Sequence, residues 1–583
     1  MPGTKAIIVG SGAGGSVVAM ELAAAGWDVV IFEKGSNYFT NLQGNLFGTT
    51  TFSNDELKAL YRYFEQPDPL AYPRTFRQNA NQAANYVGPV NDLPVTVGGG
   101  TVHWDAKVPR FWDIDFKGLS LLGPVPGADM ADWPFEYAEI APYYDEIEAL
   151  LGTQGDLASI PALTMAHSPR SRPYQMPPGA QQRSSSLIAR GAKLVGLHPY
   201  PFPMAINSVE FDGRAACNNC GFCSNYGCPI GARVGSLGPL RRALATGRVQ
   251  LRADTTVTKV EFSGRRATGV SFIDPQGNAG GESADVIVLA ASAIETARLA
   301  LLSGLPDASG RIGKRLMFHN FIDGFAIYLD QRVHAYRGRS TTQCLEDFAN
   351  PDFPGARAFA RLNGLPYIRG GLCELGGSQD PIAEGKFYQL ILSFLPGKPF
   401  GSSFKDLMRA SILRDRLAGV NFIGTDLPYL SNNVTLDPRV TDLNGQPVPR
   451  ITYALGKHEQ VAQTFYLLPI TAMLAAAGAT LYAAVPSSFV NQIGGLTPPD
   501  TKHVMGGMQM GLSPTTSVTD PSGRMHQMDN VYVADGSVFV TSGCQNPTNT
   551  LMAVALRTAR GLTGRRQRSP TSSASPMSSQ IAS

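Results

Sequence analysis

The sequence predicts an α/β fold: a Rossmann-like nucleotide-binding domain assembled from discontinuous segments, beside a second domain with a large mixed β-sheet and packed helices. Three observations carry this expectation. Residues 5–33 spell a β-α-β unit with a glycine-rich turn. A second group of strand-like runs appears only at 249–290, and a third, Val531–Asp535, close to the C-terminus. Pieces of one sheet are therefore spread along the whole chain.

The first unit is read in order. Lys5-Ala-Ile-Ile-Val9 is a short apolar, β-branched run and predicts a buried strand. Gly10-Ser-Gly12-Ala-Gly14-Gly15 follows, and Ser16–Ala25 predicts a helix ended by Gly26. Asp28–Phe32 predicts the second strand, with Glu33 at its carboxyl end. Gly10 suits the tight turn out of the strand. Gly12 lets a backbone approach a pyrophosphate at the helix N-terminus, and Gly15 lets helix and strand pack closely. Glu33 suits ribose hydroxyls. Because all the parts fall in register, the pattern points to a dinucleotide site.

Composition sets the outer bounds. The chain has 583 residues, 43% of them hydrophobic, and a formal charge of +3. That length supports two or more large cores, and so small a charge gives no reason to expect nucleic acid. No apolar run reaches the length of a membrane span. The chain enters its first strand at once, so no signal peptide is expected. The expected location is the cytoplasm, or the periplasm if a partner carries the protein there. Arg565–Ser583 is Arg-, Ser- and Pro-rich and is expected to be a disordered tail.

Tyr38–Val95 is irregular, with one expected helix at Asn54–Phe64. Val97-Gly-Gly-Gly-Thr-Val-His103-Trp104 allows close backbone approach at Gly99 and Gly100, but by itself it reads as a tight turn with a half-buried His–Trp pair. Asp132-Trp-Pro leads into a helix at Ala138–Leu151, and Pro161–Pro203 reads as a broken, proline-rich connection. Cys217, Cys220, Cys223 and Cys228 then fall within twelve residues, although the chain has only seven cysteines. Iron–sulfur ligation, disulfides or structural thiols, and zinc all remain open for this C-x2-C-x2-C-x4-C spacing.

Strands are expected at Val249–Arg252, Val257–Phe262, Ala267–Asp274 and Val286–Ala290, and a helix at Ala293–Leu302. Arg311–Lys457 is β-leaning, with a hairpin turn at Asp442-Leu-Asn-Gly445. A long helix is expected at His458–Ala477. Phe387–Phe394 and Leu407–Phe422 leave a hydrophobic alcohol open as substrate. His503 sits in a Gly/Met-rich loop and by itself reads as structural. Asn546-Pro-Thr-Asn-Thr550 is expected to cap a helix at Leu551–Arg560, whose N-terminus suits a developing negative charge.

Taken together, the glycine motif with Glu33, the Gly98–Trp104 stretch, Asp132-Trp-Pro, and the series His503, Asp535-Gly536, Asn546-Pro547 resemble the glucose–methanol–choline (GMC) flavoprotein oxidoreductases. The resemblance runs to about Arg565. It is strongest to the flavin subunits of gluconate and fructose dehydrogenases, which share a Cys-rich segment, and to pyranose 2-oxidases around His103-Trp104 and Pro109-Arg110-Phe111. It implies FAD, with Gly10, Gly12, Gly15 and Glu33 at the ADP half and Val257 at the adenine. Asp535 and Gly536 would meet the pyrophosphate and ribityl chain, and Asn546, Pro547 and Thr548 the flavin ring. It implies His503 as the base that takes a hydroxyl proton, with Asn546 holding the substrate oxygen. A covalent flavin link at His103 and a three- or four-iron cluster at the cysteines are expectations of the same kind.

The implied activity is oxidation of a sugar, polyol or glycoside hydroxyl, with electrons passed to a separate subunit or cytochrome. The alternatives are an oxygen-reducing oxidase and a non-redox lyase of the hydroxynitrile type. The expected division is FAD-binding at 1–113, 210–320 and 496–564, substrate-binding at 114–209 and 321–495, and the tail at 565–583.

Overall fold

The structure is a computed structural model that describes residues 3–39, 41–43, 67–82, 86–88, 90–91, 93–223, 226–377, 401–411, 413–490, 495–499 and 501–565. The expected helix at Asn54–Phe64, the run Phe387–Phe394 and the tail beyond 565 lie outside these residues. In chain order the strands begin with β1 (Lys5–Val9), β2 (Asp28–Phe32), β3 (Arg74–Arg77), β4 (Tyr86–Gly88) and β5 (Tyr200–Pro201). There follow β6 (Val249–Arg252), β7 (Thr256–Ser263), β8 (Arg266–Ile273), β9 (Ala279–Ser283) and β10 (Val286–Leu289). Then come β11 (Asn320–Ile327), β12 (Gln343–Leu345), β13 (Gly371–Gly376), β14 (Leu417–Gly424), β15 (Asn433–Thr441), β16 (Pro447–Thr452), β17 (Leu481–Pro486) and β18 (Val531–Val533).

The organising sheet is parallel, in the order β18-β10-β1-β2-β6. Its central strand is buried on both faces, with Ala6, Ile7 and Ile8 fully covered, which is why it reads as a continuous apolar run. Helices α1 (Ala13–Ala24), α2 (Tyr137–Leu151), α3 (Arg183–Leu194), α4 (Ala293–Ser303), α5 (Lys457–Ala476) and α6 (Thr548–Thr563) cover the sheets. Helix α1 starts three residues before the expected Ser16. Gly14 and Gly15 are helical because the close approach they permit outweighs their low helix propensity. A Cβ on Gly15 would stand 2.0 Å from the Gly10 carbonyl oxygen, and one on Gly14 would stand 1.7 Å from that of Ala534.

Several expectations are corrected. Of the strands between 249 and 290, only β6 and β10 join the parallel sheet, and β7-β8-β9 form a separate antiparallel one. The large sheet, β17-β11-β14-β13-β12-β5, is antiparallel at every pairing rather than mixed. Mixed pairing occurs instead in the four-stranded sheet β15-β16-β3-β4, where β16 runs parallel to β3. The stretch expected to be a broken connection contains α3. This helix buries Ser184, Ser185, Ile188, Ala189 and Ala192, a face too rich in serine to read as apolar. Helix α6 begins at Thr548 and runs to Thr563, longer at both ends than expected.

Candidate active site

The carboxyl ends of the parallel strands open into one cavity of about 480 Å3. At one end it is lined by Glu33, Thr255 and Val257, in the middle by Gly10, Gly12, Gly99, Gly100, Asp535 and Gly536, and at the other end by His103, His503, Asn546, Pro547 and Thr548. Of the fourteen residues singled out from the sequence besides the four cysteines, thirteen line this cavity, Val257 reaching it from the separate β7 sheet, and the exception, Gly15, packs beneath the turn.

The glycines differ in what they do. Gly10 has φ +104°, a conformation that side chains rarely adopt, and its amide donates to the Phe32 carbonyl at 2.8 Å. Gly12, at the N-cap of α1, has no protein atom within 4 Å of the place a Cβ would take, so its open side faces cavity. Gly99 lies opposite, where a Cβ would stand 3.1 Å from the Gly12 Cα. The two glycine segments are stitched together by Ser11. Its hydroxyl donates to Glu33 Oε2 at 2.8 Å and accepts from the Gly98 amide at 2.9 Å. Glu33 also takes the Ser11 amide at 3.0 Å and, through Oε1, the Gly35 amide at 2.9 Å. Burial raises its carboxyl pKa while these donors oppose the rise. Glu33 thus shapes the turn as well as lining the cavity.

Asp535 caps the short turn Gly536–Val538 through the Ser537 amide at 2.9 Å and takes the Thr296 hydroxyl at 2.6 Å. Gly536 accepts from the Gly506 amide at 2.9 Å, which seats the His503 segment against the end of β18. His103 is buried in the cavity wall. Burial, with Lys502 and Arg233 nearby, holds its imidazole well below the ordinary range.

At the far end His503 Nε2 and Asn546 Nδ2 stand 3.5 Å apart, although 43 residues separate them. Asn546 Nδ2 also donates to Glu374 Oε1 at 3.0 Å, and Asn546 Oδ1 is buried without a hydrogen-bond partner. Glu374, on β13, is ion-paired with Lys107, which also binds Asp105 at 2.8 Å. Burial lowers the His503 pKa well below its ordinary value, and neighbouring His319 and Lys107 push it the same way. Sequence reading missed Ser11, Lys107, His319 and Glu374. The available signal was a lone charge in an apolar run: Lys107 lies between Ala106 and Val108, and Glu374 within Leu372–Leu375.

The four clustered cysteines are free: Cys220 is exposed, Cys223 buried, and Cys217 and Cys228 intermediate. Among the described residues no three His, Cys, Asp or Glu side chains are gathered to hold a metal ion. Arg233 ties the segment to the cavity wall. Its guanidinium donates to the Val102 carbonyl at 2.7 Å and the Trp104 carbonyl at 2.8 Å, and also to those of Cys223 and Tyr226.

The cavity fits a flavin dinucleotide. It has an open glycine at a helix N-terminus, an acid at the ribose end, and a wall of titratable groups where a ring would lie. Residues 132–321 and 428–555 match family models described as GMC oxidoreductase, together more than half of the chain. Residues 8–64 match an NAD(P)-binding Rossmann-like domain. The chain is 27% identical to the 2-methyl-1,2-propanediol dehydrogenase of Mycolicibacterium austroafricanum, over 95% of this chain and 94% of that protein. It is 27% identical to the gluconate 2-dehydrogenase flavoprotein of Pantoea cypripedii, over 96% and 93%. The fold superposes on pyridoxine 4-oxidase from Mesorbium loti with a TM-score of 0.58 at 14% identity, covering 97% of this chain and 100% of that one. No helix among the described residues is long and apolar enough to cross a membrane. The chain belongs to the GMC oxidoreductase family, which includes dehydrogenases acting on alcohol and sugar groups, and that membership implies FAD as its cofactor.

Proposed function

We propose that this enzyme oxidises a hydroxyl group of a sugar, polyol or glycoside to a carbonyl, with His503 as the base. The observation that carries the reading is the pairing of His503 Nε2 with Asn546 Nδ2, 3.5 Å apart on the cavity wall. That gap is too long for a strong hydrogen bond, so an alcohol oxygen can bridge the two groups. Burial keeps the imidazole neutral at pH 7, the state a base needs. The second Asn546 N–H donates to the oxygen as its proton leaves. Glu374 holds the amide in that orientation through the bond at 3.0 Å, and Lys107 neutralises Glu374. Bound FAD supplies the acceptor for the hydride from the carbinol carbon. The wall near His503 carries Asp105, Lys107, Glu374 and Asn421, with Phe321 among them, and this polarity supports a polyhydroxy substrate over an apolar one.

Electrons then pass to a separate acceptor. The Cys217–Cys228 segment is the proposed exit, because Arg233 joins it to the residues on either side of His103. The central test is anaerobic stopped-flow reduction of the flavin by 2-methyl-1,2-propanediol, D-gluconate and D-fructose. His503→Ala is expected to bind FAD normally and to reduce it at least about a hundredfold more slowly. Near-normal reduction would remove His503 as the base.

A further inference from the structure

A second buried histidine stands behind His503. His319 immediately precedes β11 and is 2% exposed. Its Nε2 lies 3.1 Å from the Ser542 carbonyl oxygen, and its Nδ1 lies 2.8 Å from His503 Nδ1. The rings meet edge to face, with centroids 5.0 Å apart and an interplanar angle of 88°.

The hydrogen-bond network assigns the protons. A carbonyl oxygen can only accept, so His319 Nε2 carries the hydrogen. Burial lowers the His319 pKa to about 4, which leaves the ring neutral at pH 7 with a lone pair at Nδ1. Two facing ring nitrogens at 2.8 Å need one hydrogen between them, so His503 Nδ1 supplies it. The lone pair of His503 is then at Nε2, on the side of Asn546 and the cavity.

We propose that His319 is a positioning residue: it fixes His503 in the Nδ1-protonated tautomer, so that the nitrogen facing the substrate is always the one able to take a proton. This rests on the reading of His503 as the base. In the step itself, the substrate O–H bond breaks and an N–H bond forms at His503 Nε2, while the carbinol C–H electron pair leaves as hydride to the cofactor. The His503 imidazolium keeps its Nδ1 hydrogen and donates a charge-assisted bond to the lone pair of neutral His319, which stabilises the cation as it forms; only a protonated His319 would oppose that charge. The arrangement does for His503 what an orienting carboxylate does for the histidine of a hydrolase triad, with a neutral acceptor instead of a charge.

The test uses holoprotein labelled with 15N-histidine. Proton–nitrogen correlation spectra report the tautomer of each ring, and His503 is assigned by the signal missing in His503→Ala. Wild type is expected to show His503 protonated at Nδ1 and His319 at Nε2. His319→Asn keeps an acceptor oxygen near the former Nδ1 and is expected to preserve the His503 tautomer. Its flavin reduction should stay within a few-fold of wild type, measured with whichever of the three probe alcohols wild type oxidises fastest. His319→Phe removes the acceptor. It is expected to move His503 towards the Nε2-protonated form and to slow reduction by about tenfold or more. An Nε2-protonated His503 in wild type overturns the proposal. So does an unchanged tautomer in His319→Phe. If that variant fails to fold, the wild-type and His319→Asn spectra decide alone. Failure of the base reading looks different: His503→Ala would reduce flavin normally while the wild-type spectrum still showed the Nδ1-protonated ring.

Discussion

The glycines of the first turn should separate into those that serve the protein and one that serves the ligand. A Cβ on Gly14 would stand 1.7 Å from the Ala534 carbonyl oxygen, which no rotamer can relieve because both partners are backbone. Gly14→Ala must therefore push α1 away from the end of β18, an overpacking cost of about 3 kcal/mol or more. At Gly12 the same methyl meets no protein atom within 4 Å, and the backbone there does not need positive φ. Gly12→Ala should alter stability by only about 1 kcal/mol, the difference between Gly and Ala at an N-cap. The methyl would instead fill the space where a diphosphate approaches the start of α1. An obstruction of that size should weaken FAD binding by about 10- to 100-fold, or ~1.4–2.8 kcal/mol. The assay is chemical denaturation of the flavin-free variants beside FAD titration followed by quenching of flavin fluorescence. Gly12→Ala binding FAD within twofold of wild type would refute the reasoning. So would Gly14→Ala unfolding at the wild-type midpoint.

Two further outcomes follow from the same geometry. His319 is neutral in the folded state down to about pH 4, whereas an unfolded histidine takes its proton near pH 6.5. Between those values the unfolded chain binds the extra proton, so stability falls as pH drops through that window, by ~3 kcal/mol in full for this residue. Denaturant titrations at pH 7.5 and 4.5 should show a smaller acid loss in His319→Asn than in wild type, and an equal loss would contradict it. Cys220→Ser should spare flavin reduction by the substrate but slow re-oxidation by ferricyanide about tenfold or more if electrons leave through the exposed thiol segment. Unchanged re-oxidation would remove that segment from the route.

What could be read from the sequence was local. Strands β1 and β2 lie at the expected residues because four apolar residues after one charged residue, set between turn signals, leave little choice. The roles expected for Gly10 and Gly15 have direct structural counterparts in a positive φ and a 2.0 Å approach. The hairpin around Asp442–Gly445 also formed, with Gly445 at φ +73°. What escaped was whatever depended on distant partners. Helix α3 hides its buried face behind serines that become buried only once α5 and the large sheet lie over them. Strand parity in that sheet is fixed by connections that no local pattern encodes. His503 and Asn546 could be paired only through the family resemblance. Of their supports, Glu374 shows only as a lone charge in an apolar run, and His319 carries no motif at all.

That division has a physical origin. The ligand-facing turn is built from one continuous stretch, so its chemistry must be written in adjacent residues. The reacting end is assembled where three separate pieces meet: the segment at 503, the start of α6, and the antiparallel sheet that brings His319 at the edge of β11 and Glu374 on β13. In the mechanism proposed above, a base and an amide placed on two such pieces are useful only if each is held in one orientation. A buried histidine and a buried carboxylate do this because both would be costly to leave unsatisfied. Lys107 completes the set by pairing with Glu374, so that the carboxylate orients Asn546 without placing an uncompensated negative charge beside the nitrogen that must accept a proton. On the proposed mechanism the large antiparallel sheet is thus more than a wall over the cofactor: by carrying these two supports it would set the protonation state and direction of the groups that face the substrate.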